Sequence, residues 1–310
     1  MMVFRIDLQQ NNLKMKKNPV VISFDRAFLI PAGVCLTSLM CNSSEDEFYH
    51  FVCLHKGVTQ KELDLFYTLE RKYKRCSFQF EDMSDKFVDA RLSKEAPNSV
   101  VVYYRLLIPT LLSDYDKAFF VDVDFIFRSG LGALYYKEDM DDYYLGGVRD
   151  TWMSVVNRKH PLALGLNPDE YINGGFLLMN IKKINQDCMV EKWLQEVSNT
   201  RMSYLDQDIL NLTCQGKIKI LRFKYNTFQL NNAKTFYSEE EFEEGRKCGN
   251  IHYVEIKPWS KFHRMGWFWW KYYWKLPFGQ SKQRCYYLRR LCELIIRRVI
   301  DMLIYKLKFI

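Results

Sequence analysis

Residues 117–127, KAFFVDVDFIF, decide the fold. Ala118, Phe119, Phe120 and Val121 run straight into Asp122-Val123-Asp124. An unbroken apolar run of this kind predicts a strand buried on both faces, as in parallel sheets. Alternation along that strand puts Asp122 and Asp124 on one side of its carboxyl end. Two carboxylates placed there repel, and burying them is costly unless a cation joins them. A hard divalent ion carrying a bound diphosphate satisfies both groups. An EF-hand is excluded, because DVDFIFRSG lacks the third acidic position and the turn glycine. A bare DxD triplet also arises by chance, so its surroundings decide.

Working outward, residues 20–24 (VVISF), 48–54 and 77–80 read as strands. Pro31 opens a helix to about Leu39. Thr59 and Glu62 form a capping box for a helix to about Tyr73. Residues 100–112 read as helical despite Pro109. Downstream, 144–148, 175–181 and 218–224 read as strands, and 187–198 and 206–214 as helices. The alternation predicts an α/β fold, a parallel or mixed sheet with helices on both faces. Ligands of such sheets bind beyond the carboxyl ends of the strands. No GxGxxG follows the first strand and no GxxxxGK[ST] occurs, so a Rossmann dinucleotide site and a P-loop are unsupported.

The chain has 310 residues, 48% hydrophobic and 26% charged, which excludes disorder and low complexity. No apolar stretch reaches the ~18 uncharged residues of a membrane span. The opening MMVFRIDLQQNNLKMKKNP lacks the apolar core of a secretory signal. Nine cysteines, never spaced as CxxC, suggest neither a disulfide framework nor a zinc site. They read as reduced thiols of a cytosolic protein, mostly buried, with Cys35, Cys53 and Cys188 in the core.

Charge is uneven. Residues 246–310 carry 15 Lys and Arg against 3 Asp and Glu, whereas residues 1–245 carry 30 against 34. A mildly acidic body therefore bears a basic tail, suited to an anionic membrane surface or to nucleic acid. Trp259, Trp267, Trp269, Trp270 and Trp274 lie in the tail beside Lys and Arg, a mixture that suits the headgroup layer. Over residues 284–308, Arg289, Arg290, Glu293, Arg297, Arg298, Asp301 and Lys308 fill one half of a helix. Leu288, Leu291, Cys292, Leu294, Ile295, Val299, Met302 and Leu303 lie mostly on the other half. This is a basic amphipathic helix of interfacial type; the plainer reading is a terminal helix docked on the protein's own core. No base-reading motif is present, so no nucleic-acid partner is expected.

The order of Arg105, Asp122, Asn173-Gly174-Gly175, Asp206-Gln207-Asp208 and His252…Lys257-Pro258-Trp259 carries a resemblance. The chain resembles family 8 of the retaining glycosyltransferases, which have a GT-A fold, and within it the bacterial lipopolysaccharide core glucosyl- and galactosyltransferases. The matching segments are SFDRAFLIPAGVCLTSL, YYRLLIPTLL, KAFFVDVDFIF, YLGGVRD, YINGGFLLMNIKKI, YLDQDILN and IHYVEIKPW.

The resemblance implies a Rossmann-like catalytic domain over residues 1–258, and the basic aromatic tail reads as a membrane-associating region over 259–310. It implies a UDP-sugar donor, UDP-glucose or UDP-galactose, and Mn²⁺ or Mg²⁺ held by Asp122, Asp124 and His252. Asp25 matches the residue that meets the uracil ring, and Arg105 a basic residue near the diphosphate and donor sugar. Asp150, Asn173 and Gly174 match positions around the donor hydroxyls, and Asp206 and Gln207 the sugar and reacting face. Lys257 matches a lysine that closes a loop over the diphosphate. For the reaction, Asp206, Gln207 and Asp150 are the candidate catalytic residues. Asp206 and Asp208 are positional candidates for a nucleophile, Gln207 would be a poor one, and same-face attack is favoured. Asp206 could also serve only as a helix N-cap. Glu255 stands where relatives often have glycine, and a carboxylate near a diphosphate must point away.

The expected function is hexosyl transfer to a lipid-linked lipopolysaccharide core acceptor. It would take place at the cytoplasmic face of the inner membrane, with the tail as a peripheral anchor. The alternatives are the same chemistry on another glycolipid or protein, or a non-catalytic membrane adaptor that binds a nucleotide-sugar or glycan.

Overall fold

The structure, a computed structural model, describes residues 17–90, 92, 99–278 and 281–307. Residues 1–16 of the opening segment and Lys308 of the tail lie outside the described residues, as do the side chains of Leu294 and Asp301. Seven strands form the main sheet: β1 (Lys17–Asp25), β2 (Phe48–Lys56), β3 (Cys76–Asp82), β4 (Ala118–Val121), β6 (Leu145–Arg149), β7 (Ile172–Met179) and β8 (Ile218–Ile220). Their order is β3-β2-β1-β4-β7-β6-β8. Two further strands, β5 (Phe125–Ile126) and β9 (Ile251–His252), form a separate antiparallel ribbon. Within the main sheet, β7 alone runs against its neighbours, β4 and β6. The carboxyl ends of β1, β4 and β6 and the amino end of β7 therefore share one edge of the sheet. The strand order reverses there, where ligands of open α/β sheets bind.

Alternation explains why the sheet is buried on both faces. Val20, Ile22 and Phe24 of β1 point into one core and Val21 into the other. Phe119 and Val121 of β4 join the first, Ala118 and Phe120 the second. Each fully buried side chain of this size contributes about 1.5–3 kcal/mol, so the central strands are the least replaceable part of the fold.

The single strand expected over residues 117–127 breaks at its carboxylates. Asp122 N donates to Gly175 O at 2.9 Å; the chain then turns out of the sheet, and Phe125 pairs with His252. Two anionic side chains cannot continue a strand packed on both faces. The break that relieves this brings a histidine from far along the chain beside them.

Other elements differ in detail. The capping box forms, Glu62 accepting from Thr59 N at 3.0 Å, but the expected helix splits into Gln60–Leu63 and Tyr67–Tyr73. Residues 100–112 are a 3-10 stretch, Val100–Leu107, followed by a short α-helix, Ile108–Leu111. Pro109 sits in that helix's first turn, where its missing N–H is not needed. Strand β7 stops at Met179 because Asn180 caps the next helix, accepting from Lys183 N at 3.1 Å. Strand β8 stops at Ile220, and Phe223–Tyr225 form a 3-10 turn.

Two expectations about burial are corrected. Trp269, Trp270, Tyr272 and Tyr273, on the helix Gly266–Lys275, lie in the core rather than at an interface. That helix packs on the helix Leu29–Asn42, where Asn42 donates to the Tyr272 hydroxyl at 2.7 Å. An aromatic stripe one helix turn apart buries more area against such a neighbour than it can in a headgroup layer. The hydrophobic core thus runs past residue 258 as far as Phe278. Cys188 is exposed, at the left-handed start (φ 50°) of the helix Met189–Glu196, and so are Cys248, Cys285 and Cys292. Cys35, Cys53, Cys76 and Cys214 are buried, and every cysteine is a free thiol.

The last helix, Ser281–Leu307, touches the body through Leu291, Arg298 and Arg290, the last donating to Ser260 O at 3.2 Å. Ile295, Val299, Met302 and Leu303 are exposed. Among the described residues no helix is long and apolar enough to cross a membrane.

Candidate functional site

The shared edge of the sheet gathers most of the singled-out residues. Asp122 follows β4, Asp150 follows β6, and Asn173-Gly174-Gly175 open β7. Asp206 and Gln207 begin the helix Asp206–Thr213, and His252 ends β9.

Asp122, Asp124 and His252 each offer a ligand atom, and the three atoms lie within 4.8 Å of one another. His252 Nδ1 faces Asn226 Oδ1 at 3.0 Å. The Asn226 amide in turn donates to Asn173 Oδ1, which also accepts from Gly175 N. This chain fixes the Asn226 amide and makes Nδ1 the protonated nitrogen. The Nε2 lone pair then faces Asp124 Oδ1 at 3.3 Å and Asp122 Oδ2 at 3.8 Å. A lone pair aimed at two carboxylates is repulsive unless a cation lies between them. Oxygen and imidazole donors suit Mn²⁺ or Mg²⁺, so the residues fit the implied divalent ion.

Asn226 was not found from the sequence, since a single asparagine after a short turn belongs to no motif. Gly175 has a steric reason to be glycine. A Cβ there would stand 2.3 Å from His252 Cε1 and 2.7 Å from Asp122 Oδ2. Gly175→Ala is expected to push His252 off the carboxylates, destabilise the fold by about 1–3 kcal/mol and weaken Mn²⁺ binding at least tenfold. Calorimetric titration with Mn²⁺ and urea unfolding check both effects.

Two basic residues brace the carboxylates. Arg105, buried, donates to Asp122 at 2.9 Å and to Gly174 O, and forms an ion pair with Asp206, Nε lying 2.9 Å from Oδ2. Its guanidinium also lies 4.1 Å from the Phe120 ring centre. Lys257 pairs with Asp124 and donates to Tyr253 O and Val254 O. Burial alone would raise the Asp124 carboxyl, but the Lys257 ammonium beside it holds it well below its ordinary value.

A second cluster lies beside the first. Gln207 accepts from Gly174 N at 2.9 Å and donates to Asp150 Oδ2 at 3.2 Å. Asp150 Oδ2 also accepts from Asn173 at 3.3 Å, and Oδ1 from Trp152 N at 3.0 Å. Burial raises the Asp150 carboxyl.

Asp206 is not the N-cap of its helix. Leu205 holds that place with φ 48°, a left-handed angle that a branched side chain rarely adopts. Asp208 serves the helix start instead, accepting from Tyr204 N at 2.8 Å. It also holds His160 at 2.8 Å and the Tyr171 hydroxyl, and it is fully buried. With both oxygens so engaged, Asp208 is removed as a nucleophile candidate.

Asp206 is pushed up to about 7, burial outweighing the pull of Arg105. A raised carboxyl favours the folded state at low pH and loses that contribution as pH rises from the unfolded value through about 7. Without added metal, Asp206→Asn is therefore expected to gain stability over wild type as pH rises from 5 to 7.5. The gain should level off above pH 8. Thermal unfolding across that range reads it.

Asp25 ends β1 and uses Oδ1 to accept from Ala27 N at 2.9 Å and Phe28 N at 3.3 Å. It shares no bond with the clusters among the described residues. Glu255 faces Gln229, whose amide approaches it at 3.4 Å.

The fold and the edge site define a GT-A type protein. A model described as "Glycosyl transferase family 8" matches residues 19–263, and the chain belongs to that family. A "Putative glycosyltransferase" of Haemophilus influenzae is 35% identical over 41% of this chain and 39% of its own length. The chain therefore spans well under half of that relative. A "Lipopolysaccharide 1,2-glucosyltransferase" of Escherichia coli is 25% identical over 82% of this chain and 77% of its own. The fold matches galactosyltransferase LgtC, solved with donor and acceptor sugar analogs, with TM-score 0.72 and 22% identity. That match covers 86% of this chain and 99% of LgtC.

Proposed function

We propose that the protein is a metal-dependent retaining hexosyltransferase. It moves glucose or galactose from a UDP-sugar to a lipopolysaccharide core acceptor at the inner face of the cytoplasmic membrane. The observation that carries this reading is the convergence of Asp122, Asp124 and His252 with Arg105 and Lys257 on one sheet edge. A divalent ion held by those three ligands would offset charge on the departing diphosphate.

Arg105 orients Asp122 and Asp206, and its guanidinium adds positive charge beside the diphosphate. Lys257, at the mouth of the loop after β9, supplies a second cation. Gly174 leaves its backbone open to a sugar, and Gln207, braced between Gly174 N and Asp150, faces the reacting carbon. Asp25 meets the uracil.

Asp150, Asp206 and Asp208 all have carboxylate oxygens engaged by protein donors, which supports same-face attack over a glycosyl-enzyme. In that reaction the acceptor oxygen bonds to the anomeric carbon as its bond to the diphosphate breaks. The hydroxyl proton passes to a diphosphate oxygen.

The exposed apolar row on the helix Ser281–Leu307, beside Arg289, Arg297 and Arg298, supports a peripheral anchor. Anchoring enzyme and acceptor on one surface raises their effective concentration.

The test is transfer of labelled hexose from UDP-glucose or UDP-galactose to core-truncated lipopolysaccharide in vesicles, with Mn²⁺ or EDTA. Metal-dependent labelling of the lipid is the expected result. Deleting residues 280–310 should remove most of it while sparing transfer to the soluble, lipid-free oligosaccharide. Labelling of another glycolipid or a protein alone would overturn the acceptor assignment.

A further inference from the structure

A cleft of about 700 Å³ runs from His252 to the last helix. Its lining includes the loop after β9, with Phe262 and Arg264, and also Trp152 and the segment 229–232. Arg298 of the last helix also lines it. Its guanidinium lies 5.2 Å from the Phe262 ring centre, so the ring holds it in place. Arg264 is exposed. Neither arginine makes an ion pair among the described residues. Among the described residues the one acidic side chain lining the cleft, Glu255, is met by the Gln229 amide.

The rest of the lining is of a kind that holds sugars. Trp152 and Phe262 are 37% and 46% exposed, flat apolar faces available to the C–H side of a pyranose. Gln229, Asn231 and Asn232 add amide donors and acceptors for hydroxyls. Two guanidiniums without carboxylate partners among the described residues are the feature a neutral glycan would leave unused. Arginine pairs bidentately with phosphate, which gives geometry as well as charge.

We propose that this cleft is an acceptor subsite for a phosphate-bearing saccharide, read by Arg264 and Arg298. The inference rests on the transferase reading, and it makes the tail helix part of the acceptor site as well as an anchor. The contacts of Arg290 with Ser260 and of Arg298 with Phe262 clamp that helix to the loop that carries Lys257. A lipid-linked acceptor would reach the sheet edge along this helix.

The probes are glucose and glucose 6-phosphate, titrated by NMR into the full chain saturated with UDP and Mn²⁺, which keeps the phosphate out of the donor site. Glucose 6-phosphate is expected to bind at least tenfold more tightly than glucose. In the Arg264→Gln/Arg298→Gln double variant the preference should fall below twofold, with UDP affinity unchanged. Equal binding of both sugars by wild type, or a preference that survives in the double variant, overturns the proposal.

A membrane phosphate is the other source of the same chemistry. If Arg298→Gln lowers binding to phosphatidylglycerol vesicles but leaves the sugar-phosphate preference intact, the arginine serves lipid headgroups and the proposal fails. UDP binding is measured first in the same sample. Its absence overturns the transferase reading itself, whereas UDP binding without the phosphate preference overturns only this inference.

Discussion

Asp124→Asn is expected to lower metal-dependent UDP-sugar turnover by ~10²–10³-fold, the scale for loss of a main electrostatic group. Asp124 is buried and meets both His252 and Lys257. The amide keeps the shape but removes the charge that balances a divalent ion, and it leaves Lys257 without its carboxylate partner. Mn²⁺ affinity should therefore fall with turnover, and raising Mn²⁺ should not restore the full rate. UDP release measured over a range of Mn²⁺, beside direct Mn²⁺ titration, separates a metal defect from a folding defect. Wild-type metal affinity in the variant would remove Asp124 from the ligand set.

Arg105→Met carries the largest expected effect on stability. The guanidinium is 5% exposed and spans Asp122 and Asp206. Removing it strands a buried carboxylate, Asp206, and loosens another, which costs about 3–5 kcal/mol for a pair of this kind. Urea unfolding should show the loss. Adding Asp206→Asn should recover part of the stability, because the second change removes the stranded charge, but it should not recover turnover. Recovery of neither would mean that Arg105 acts mainly through its packing on Phe120.

The sheet was legible because its strands announce themselves. VVISF and AFFV are apolar without interruption, a pattern that only a sheet covered on both faces explains. The place of the site was legible too, since two carboxylates at the end of such a strand need a reason. What could not be read was how the chain accommodates them. The break after Val121 and the pairing of Phe125 with His252 depend on a partner 127 residues further on, and local pattern carries no such information.

The same limit hid Asn226. Its role comes from standing between Asn173 and His252 in space. Asp206 and Asp208 were indistinguishable in sequence and divide their labour in the fold, one held by Arg105 and the other by His160 and Tyr171. The tryptophans of the helix Gly266–Lys275 were misread because composition suits both a membrane surface and a core. Only the neighbouring helix Leu29–Asn42 decides between them.

The central claim is that this edge of the sheet binds and activates a UDP-sugar through a divalent ion. It is tested most directly by UDP release from a panel of UDP-sugars, with Mn²⁺ and with EDTA, in wild type and Asp124→Asn. The account predicts release from one UDP-hexose that requires metal and is lost in the variant. Absence of metal-dependent binding or turnover with every UDP-sugar would contradict it.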